Sequence, residues 1–348
     1  MRRFDYSFLA DASLPAEIVN NAIGIGKFQI KESVRKEKFP TVFTKLESIA
    51  KVQSVKGSNA IEGIATSDER IEEIVNQKSA PLNHNELEIA GYRDALAIVH
   101  ENHENVDISE KDILNLHAIM QRQNDNIVGG KYKRTENTIV AIDNQGSRSV
   151  RFQPISSQDT PKAMEQLILA FIDARQNDRI NGLFLIPCFV LDFLCIHPFL
   201  DGNGRISRLL SLLLLYKNGF DAGKYISFEG EINKRKSDYY TALQASSANW
   251  LENKNDYFPF MQNFISTLYV CYKELDARLG SLSDKKMTAR LRIENAIKNS
   301  ILPLSKQEIA HILPDISVNT IAIALGQLVK DGVIVKVGNY KDAKYKLA

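Results

Sequence analysis

The 348-residue chain is 44% hydrophobic and sets 44 Lys and Arg against 42 Asp and Glu, a formal net charge of +2. That composition supports a sizeable core and implies no global affinity for polyanions, and the length predicts about two or three domains at ~150 residues each. The N-terminal MRRFDYSFLADASLP has no apolar signal-peptide core. The longest apolar run, 183–196, is interrupted by Pro187 and Asp192 and falls short of the ~20 residues of a membrane span. Cys188, Cys195 and Cys271 sit in apolar helical contexts without metal-type spacing. A cytoplasmic protein with reduced thiols and no membrane partner is therefore expected.

From residue 15 to 64 apolar positions recur at three and four, predicting helices broken near Phe39-Pro40. The stretch ends in SNAIEGI, where Ser58 and Glu62 stand four apart and Gly63 falls where a helix can stop. Taken alone, this is a capped helix end with an exposed glutamate. Thr66 and Glu69 form a capping-box pair that opens a helix to about Gln77, Pro81 falls in a linker, and amphipathic helices are predicted at about 85–102 and 109–123. His100 and His103 are three apart but have no third ligand nearby for a metal. TIVAI (138–142) and SVRFQ (149–153) flank Asn144-Gln145-Gly146 and predict a β-hairpin. Thr160 as N-cap and Pro161 in the first turn open another helix.

LFLIPCFVLDFLCI (183–196) and ISRLLSLLLLY (206–216) are too long and leucine-rich for paired strands and do not alternate with period two. The intervening HPFLDGNGRISR (197–208) is thus a loop opening onto the positive end of a helix, despite the hairpin-like DG and NG dipeptides. Gly202 and Gly204 permit positive φ. Arg205 onward is predicted as the first helical turn, whose N–H groups would face an anion. Arg205 and Arg208, three apart, could grip phosphate oxygens from one side. Asp201 offers a hard oxygen for Mg²⁺. His197, with an ordinary pKa near ~6.5, is a base for an attacking hydroxyl.

At every fixed position HPFLDGNGRISR resembles the Fic signature HxFx(D/E)GNGRxxR. Most Fic proteins are adenylyltransferases that move AMP from ATP onto a hydroxyl side chain of a target protein. The resemblance implies a mainly α fold, a helical bundle with a β-hairpin flap. It implies that His197 activates the target hydroxyl, Phe199 is a buried anchor and Asp201 holds Mg²⁺. Gly202, Asn203 and Gly204 would form an anion hole, and the helical turn Arg205-Ile206-Ser207-Arg208 would bind the phosphates. Glycine at 204 favours AMP transfer, because members with lysine there tend to bind the nucleotide reversed and act as kinases.

SNAIEG resembles the family's inhibitory motif (S/T)xxxE(G/N), which makes Ser58 and Glu62 an intramolecular brake: Glu62 would pair with Arg208 and place charge where the γ-phosphate should sit. The hairpin 138–153 falls where the family has its flap, which docks a target segment by adding a strand. Residues 233–250 are predicted as one helix, and Tyr240, in a YY segment like one near the nucleotide base in the family, is the candidate base contact. Residues 255–280 complete the bundle. The expected activity is autoinhibited AMP transfer from ATP to Ser, Thr or Tyr of targets and of the chain itself. Another donor (UTP, GTP or a phosphocholine-bearing nucleotide), AMP removal, and a nucleotide-sensing DNA-binding regulator stay open.

The polar stretch Ser281 to Lys286 marks a boundary. The expected division is an N-terminal helical region with the inhibitory motif (1–90), a catalytic core (91–280) and a winged helix-turn-helix (285–348). In the last, Ser305 and Ser317 are N-caps, and Asp331-Gly332 ends the third helix before a wing carrying Lys336, Lys341, Lys344 and Lys346. The third helix has no Lys or Arg between Ser317 and Val329, so base readout would rest on Asn319, Thr320 and Gln327. DNA, another protein and a second copy of the chain all remain open as its partner.

Overall fold

The computed structural model describes residues 2–122, 128–142, 148–283, 287–298, 300, 303–338 and 343–348. Helices dominate. α1 (Ala16–Lys38) and α2 (Pro40–Ile61) meet at Phe39, with Pro40 at the first helical position, where its missing N–H costs nothing. α2 stops at Glu62, and Gly63 follows with φ 81°. α3 (Asp68–Asn76) is capped by Ser67, whose Oγ accepts from the Arg70 N–H at 3.3 Å, and not by Thr66, one residue from the expected cap, whose hydroxyl donates to Glu86 at 2.9 Å. α4 (His84–Asn102) and α5 (Glu110–Met120) follow.

β1 (Ile139–Ile142) and β2 (Arg148–Phe152) pair antiparallel, with Ile139 opposite Phe152 and an irregularity in register after Ile139. The turn expected at Asn144-Gln145-Gly146 lies outside the described residues. α6 (Thr160–Arg175) contains Thr160 as its first residue, not its cap: the hydroxyl donates to the Ser156 carbonyl at 2.8 Å. α7 (Gly182–Ile196) starts under an Asn181 side-chain cap and is buried along nearly its whole length. α8 (Asn203–Lys217) begins two residues before the expected start, because Gly202 takes the left-handed turn and serves as the N-cap residue.

The helix expected over 233–250 is two helices. Ser227 caps α9 (Phe228–Lys234), Arg235 leaves the helical region (φ −123°, ψ 40°), and α10 (Lys236–Ser247) follows. α11 is Phe258–Ser283.

One buried apolar cluster runs from Tyr6 to Leu279 and so includes side chains from both sides of position 90. α1 lies along α11, α7 packs between α6, α8 and α11, and α2 lies on α4 and α9. α2 and α9 approach to backbone contact: a Cβ on Gly57 would come 2.9 Å from the Gly230 nitrogen. The extended N-terminus is tied to α7 by a buried carboxylate. Asp192, 0% exposed, accepts from the Tyr6 hydroxyl at 2.8 Å and from the Trp250 indole, while the Arg2 guanidinium lies 3.4 Å away and over the Trp250 ring.

A second, separate cluster includes Ile293, Leu304, Ile309, Leu325 and Ile334. It joins α12 (Ala289–Lys298), α13 (Lys306–Ile312) and α14 (Val318–Lys330) to a sheet of β3 (Leu304–Ser305), β4 (Ile334–Val337) and β5 (Lys344–Leu347) in the order β3-β5-β4. Ser305 forms a complete capping box with Glu308, Ser317 caps α14, and Gly332 (φ 68°) follows its last turn. A Lys45–Glu308 ion pair of 2.8 Å connects α13 to α2. Lys341 lies outside the described residues. Among the described residues no helix is long and apolar enough to cross a membrane.

Candidate active site

α7 ends in a left-handed residue that is not glycine, His197 at φ 52°, a conformation that side chains adopt rarely and only when the surroundings enforce it. Its Nδ1 lies 3.3 Å from the Leu194 carbonyl. An oxygen at that position can only accept, so Nδ1 carries the proton and Nε2 presents its lone pair. Burial lowers the imidazole pKa to about 4, the Leu194 carbonyl opposes this, and the Lys133 charge adds to the lowering. At neutral pH the ring is therefore a neutral base.

The loop after His197 is held from inside. Phe199 is fully buried and stacks on His117 with ring centroids 3.8 Å apart. The Asn203 side chain accepts from the Phe199 N–H at 2.9 Å and donates to the Phe199 carbonyl at 2.8 Å, closing the turn on both groups. His117 Nδ1 accepts from the Gly130 N–H at 3.0 Å, which leaves Nε2–H to donate to the Asp201 carbonyl at 3.2 Å. Gly202 must be glycine: φ is 82° and a Cβ would come 2.5 Å from Met120 Cε. α8 then opens from this turn, and the N–H groups of its first turn have no partner inside the helix.

The two arginines part company. Arg205 is buried and ion-paired with Glu88 of α4 and, at 2.9 Å, with Asp201. Asp201 is half-exposed, and its Oδ2 also accepts from Gln121 at 3.2 Å. Arg208, also buried, turns toward the end of α2. Its Nε donates to Ser58 Oγ at 2.8 Å, and its Nη2 donates to the Ser58 carbonyl at 3.0 Å and to Glu62 Oε1 at 2.7 Å. Gly204 leaves room for that carboxylate, since a Cβ there would stand 2.2 Å from Glu62 Oε1.

Around this contact lies a cavity of about 150 Å³, lined by His197, Glu62, Arg208 and Tyr240 together with Ile139 and Phe152 of the hairpin. Glu62 occupies the Arg208 side of this cavity, on the guanidinium that a phosphate would otherwise meet. Tyr240 is half-buried on its wall beside Tyr239, while Ile206 and Ser207 are buried within α8.

Among the described residues no three His, Cys, Asp or Glu side chains gather as a metal cage. His100, one of the pair with metal-like spacing, is buried against the Tyr216 hydroxyl at 3.3 Å. The residues that sequence reasoning missed are His117, Gln121, Glu88, Lys133 and Asn137, which belong to no short motif and reach the loop only through folding. The one hint was the glycine pair Gly129-Gly130: the Gly130 N–H donates to His117, and Lys133, three residues on, reaches the Ile196 carbonyl.

Residues 107–215 match the family described as Fic/DOC family. The chain is 26% identical over 210 residues to the protein adenylyltransferase Fic of Drosophila grimshawi, covering 60% of this chain and 38% of that relative. It is 29% identical over 182 residues to the protein of the same name from Drosophila erecta, covering 51% and 31%. It thus spans less than two fifths of the length of these curated relatives. A Fic family protein from Desulfovibrio desulfuricans G20 has the same fold over 97% of both chains (TM-score 0.63, 22% identity). Fic-1 from C. elegans (residues 134–508) is similar over 76% of this chain and 75% of its own (TM-score 0.55, 19% identity).

Proposed function

This chain carries a Fic domain over residues 107–215, and from that premise we propose that it is an autoinhibited protein adenylyltransferase. It moves AMP from ATP to a Ser, Thr or Tyr hydroxyl of a target protein and of itself. The observation that carries this reading is the convergence, on one cavity, of a neutral His197, the open end of α8 and an Arg208 occupied by Glu62.

His197 Nε2 takes the proton of the target hydroxyl as its oxygen attacks the α-phosphorus, and pyrophosphate leaves. The first-turn N–H groups of α8 at Asn203, Gly204 and Arg205 take up negative charge on the phosphates, as a helix N-terminus does for anions. Asp201 is a half-exposed carboxylate of the kind that shares Mg²⁺ with substrate phosphates and would hold the ion. The ion, when bound, neutralises phosphate charge. Arg205, bound to Glu88 and Asp201, orients that carboxylate. Arg208 binds the γ-phosphate once Glu62 leaves it, with Ser58 steadying the guanidinium. Tyr240 lies against the base, and the hairpin 138–153 docks the target segment as an added strand.

Residues 1–90 carry the brake, 91–280 the catalytic core and 285–348 a winged-helix unit that takes DNA, another protein or a second copy. The protein works in the cytoplasm. The test is intact mass spectrometry of the Glu62→Gly chain incubated with Mg²⁺ and ATP, UTP or GTP. Added mass of one AMP, from ATP alone, is expected. UMP or GMP addition would assign another donor, and no addition on the chain or on proteins of a cell extract would refute the reading.

A further inference from the structure

Lys133 is a lysine in an unusual place. It is 4% exposed and lies in the segment between the Gly129-Gly130 turn and β1. Its backbone N–H donates to the Pro198 carbonyl at 2.9 Å, and its ammonium donates to the Ile196 carbonyl at 3.3 Å and to Asn137 Oδ1 at 2.9 Å. Asn137 in turn donates to the Phe199 carbonyl at 3.0 Å. One short segment therefore grips the carbonyls of 196, 198 and 199, on both sides of His197. The Ile196 carbonyl belongs to the C-terminal end of α7, where the helix carries negative partial charge and a cation is favoured.

We propose that Lys133 is a positioning residue for transfer: its buried ammonium locks the left-handed turn at His197 through the Ile196 carbonyl and sets a positive charge beside the imidazole. An apolar side chain would fill the same space without the cost of dehydrating a charge. What it could not do is bind the Ile196 carbonyl or repel a proton from His197. The charged groups around His197 are Lys133 from this segment, Glu62 from α2, Asp201 from the loop and, on the wall of the same cavity, Arg208 from α8; the two carboxylates favour protonation and the Lys133 charge opposes it. Glu136 is the charged group facing Lys133, and burial, which Glu136 only partly offsets, lowers the ammonium pKa to about 8. The clamp is thus in its charged form at neutral pH and loses its charge in mildly alkaline solution.

The part of this inference that concerns rate rests on His197 being the base, and the part that concerns its proton does not. Full-length Glu62→Gly protein is compared with the same chain carrying Lys133→Met or Lys133→Arg. The His197 imidazole is titrated by NMR, with its signal assigned through His197→Asn, and self-modification is followed from pH 5 to pH 10. Lys133→Met should raise the His197 pKa by on the order of one unit. It should also lower the self-modification rate by on the order of 10- to 100-fold, with the half-saturating ATP concentration unchanged. Lys133→Arg should restore both and should remove the alkaline fall in rate expected of the parent above about pH 8.

An unmoved His197 titration in Lys133→Met overturns the proposal whether or not the protein transfers a nucleotide. If Lys133→Met does not fold, the Lys133→Arg profile decides: an alkaline fall persisting there overturns it. If no transfer occurs at all, the chain is not an adenylyltransferase, while the titration still decides the role of Lys133.

Discussion

Glu62→Gly tests the contact on which the regulatory reading stands. Glu62 Oε1 is 2.7 Å from Arg208 Nη2, so a γ-phosphate taken up by the same guanidinium would stand within ~4 Å of the carboxylate. Two unit charges at ~4 Å and an effective dielectric of ~20 repel by about 4 kcal/mol. The Glu62 side chain is 32% exposed, so solvent screening and its freedom to swing aside reduce this to about 1–3 kcal/mol. Removing it should therefore lower the half-saturating ATP concentration, or raise the rate at limiting ATP, by roughly 5- to 150-fold. The assay is the time course of self-modification by intact mass across ATP concentrations. Glu62→Asp should relieve the block only partly, because the shorter arm reaches Arg208 poorly while its charge stays nearby. In the double mutant with Arg208→Ala the gain should vanish, since both residues act through one contact. Equal activity of Glu62→Gly and wild type at every ATP concentration would refute the brake. A gain that survives Arg208→Ala would show that the carboxylate acts by some other route.

Other outcomes follow from separate contacts. In Gly57→Ala the new Cβ meets Gly230 and Glu229 backbone atoms at 2.9–3.0 Å, neither of which can rotate away. Overpacking should cost about 1–3 kcal/mol and lift the end of α2 from Arg208, raising self-modification with Glu62 intact; an unchanged rate and melting temperature would count against the close α2–α9 seat. Deleting residues 2–6 leaves the fully buried Asp192 without Arg2 and Tyr6, at a cost of about 3–5 kcal/mol, visible as a lower urea midpoint. Glu32, buried at 4% exposure, has its pKa raised to about 8 by burial and by the Asp221 charge. Between the unfolded value of 4.5 and about 8 the folded state holds the extra proton, so stability falls as pH rises through that window. Glu32→Gln should flatten the fall and be the more stable form at pH 8.5, and a parallel pH dependence would refute this. If residues 285–348 bind DNA, replacing Lys336, Lys344 and Lys346 by Gln should weaken binding and flatten its salt dependence; titration of the full chain with duplex DNA checks it.

What the amino-acid order determined is local. Helix periodicity placed α1, α2, α4, α5, α7 and α11, and Ser305 and Ser317 cap as their positions suggest, because capping is a contact between residues three apart. The same locality explains the near misses. Thr66 and Thr160 have the chemistry of caps, yet the chain enters each helix one residue away, at Ser67 and at Asp159. The 233–250 pattern concealed a break at Arg235 because Ser227, upstream of that window, had already started a helix.

The candidate site loop was legible for a similar reason: a histidine, a carboxylate, glycines and arginines all stand within residues 197–208. Which carboxylate each arginine would meet was not. Arg205 and Arg208 are three apart on α8, but α4 brings Glu88 to one and α2 brings Glu62 to the other. Family resemblance anticipated the second pairing, while nothing in the order of residues indicated the first. His117 from α5, and Lys133 and Asn137 from the segment after it, likewise became part of the site only when the core packed them against the loop. Spacing along a chain specifies what one helix can present. Burial and charge pairing between helices, which depend on how the whole core packs, decide what each presented group meets.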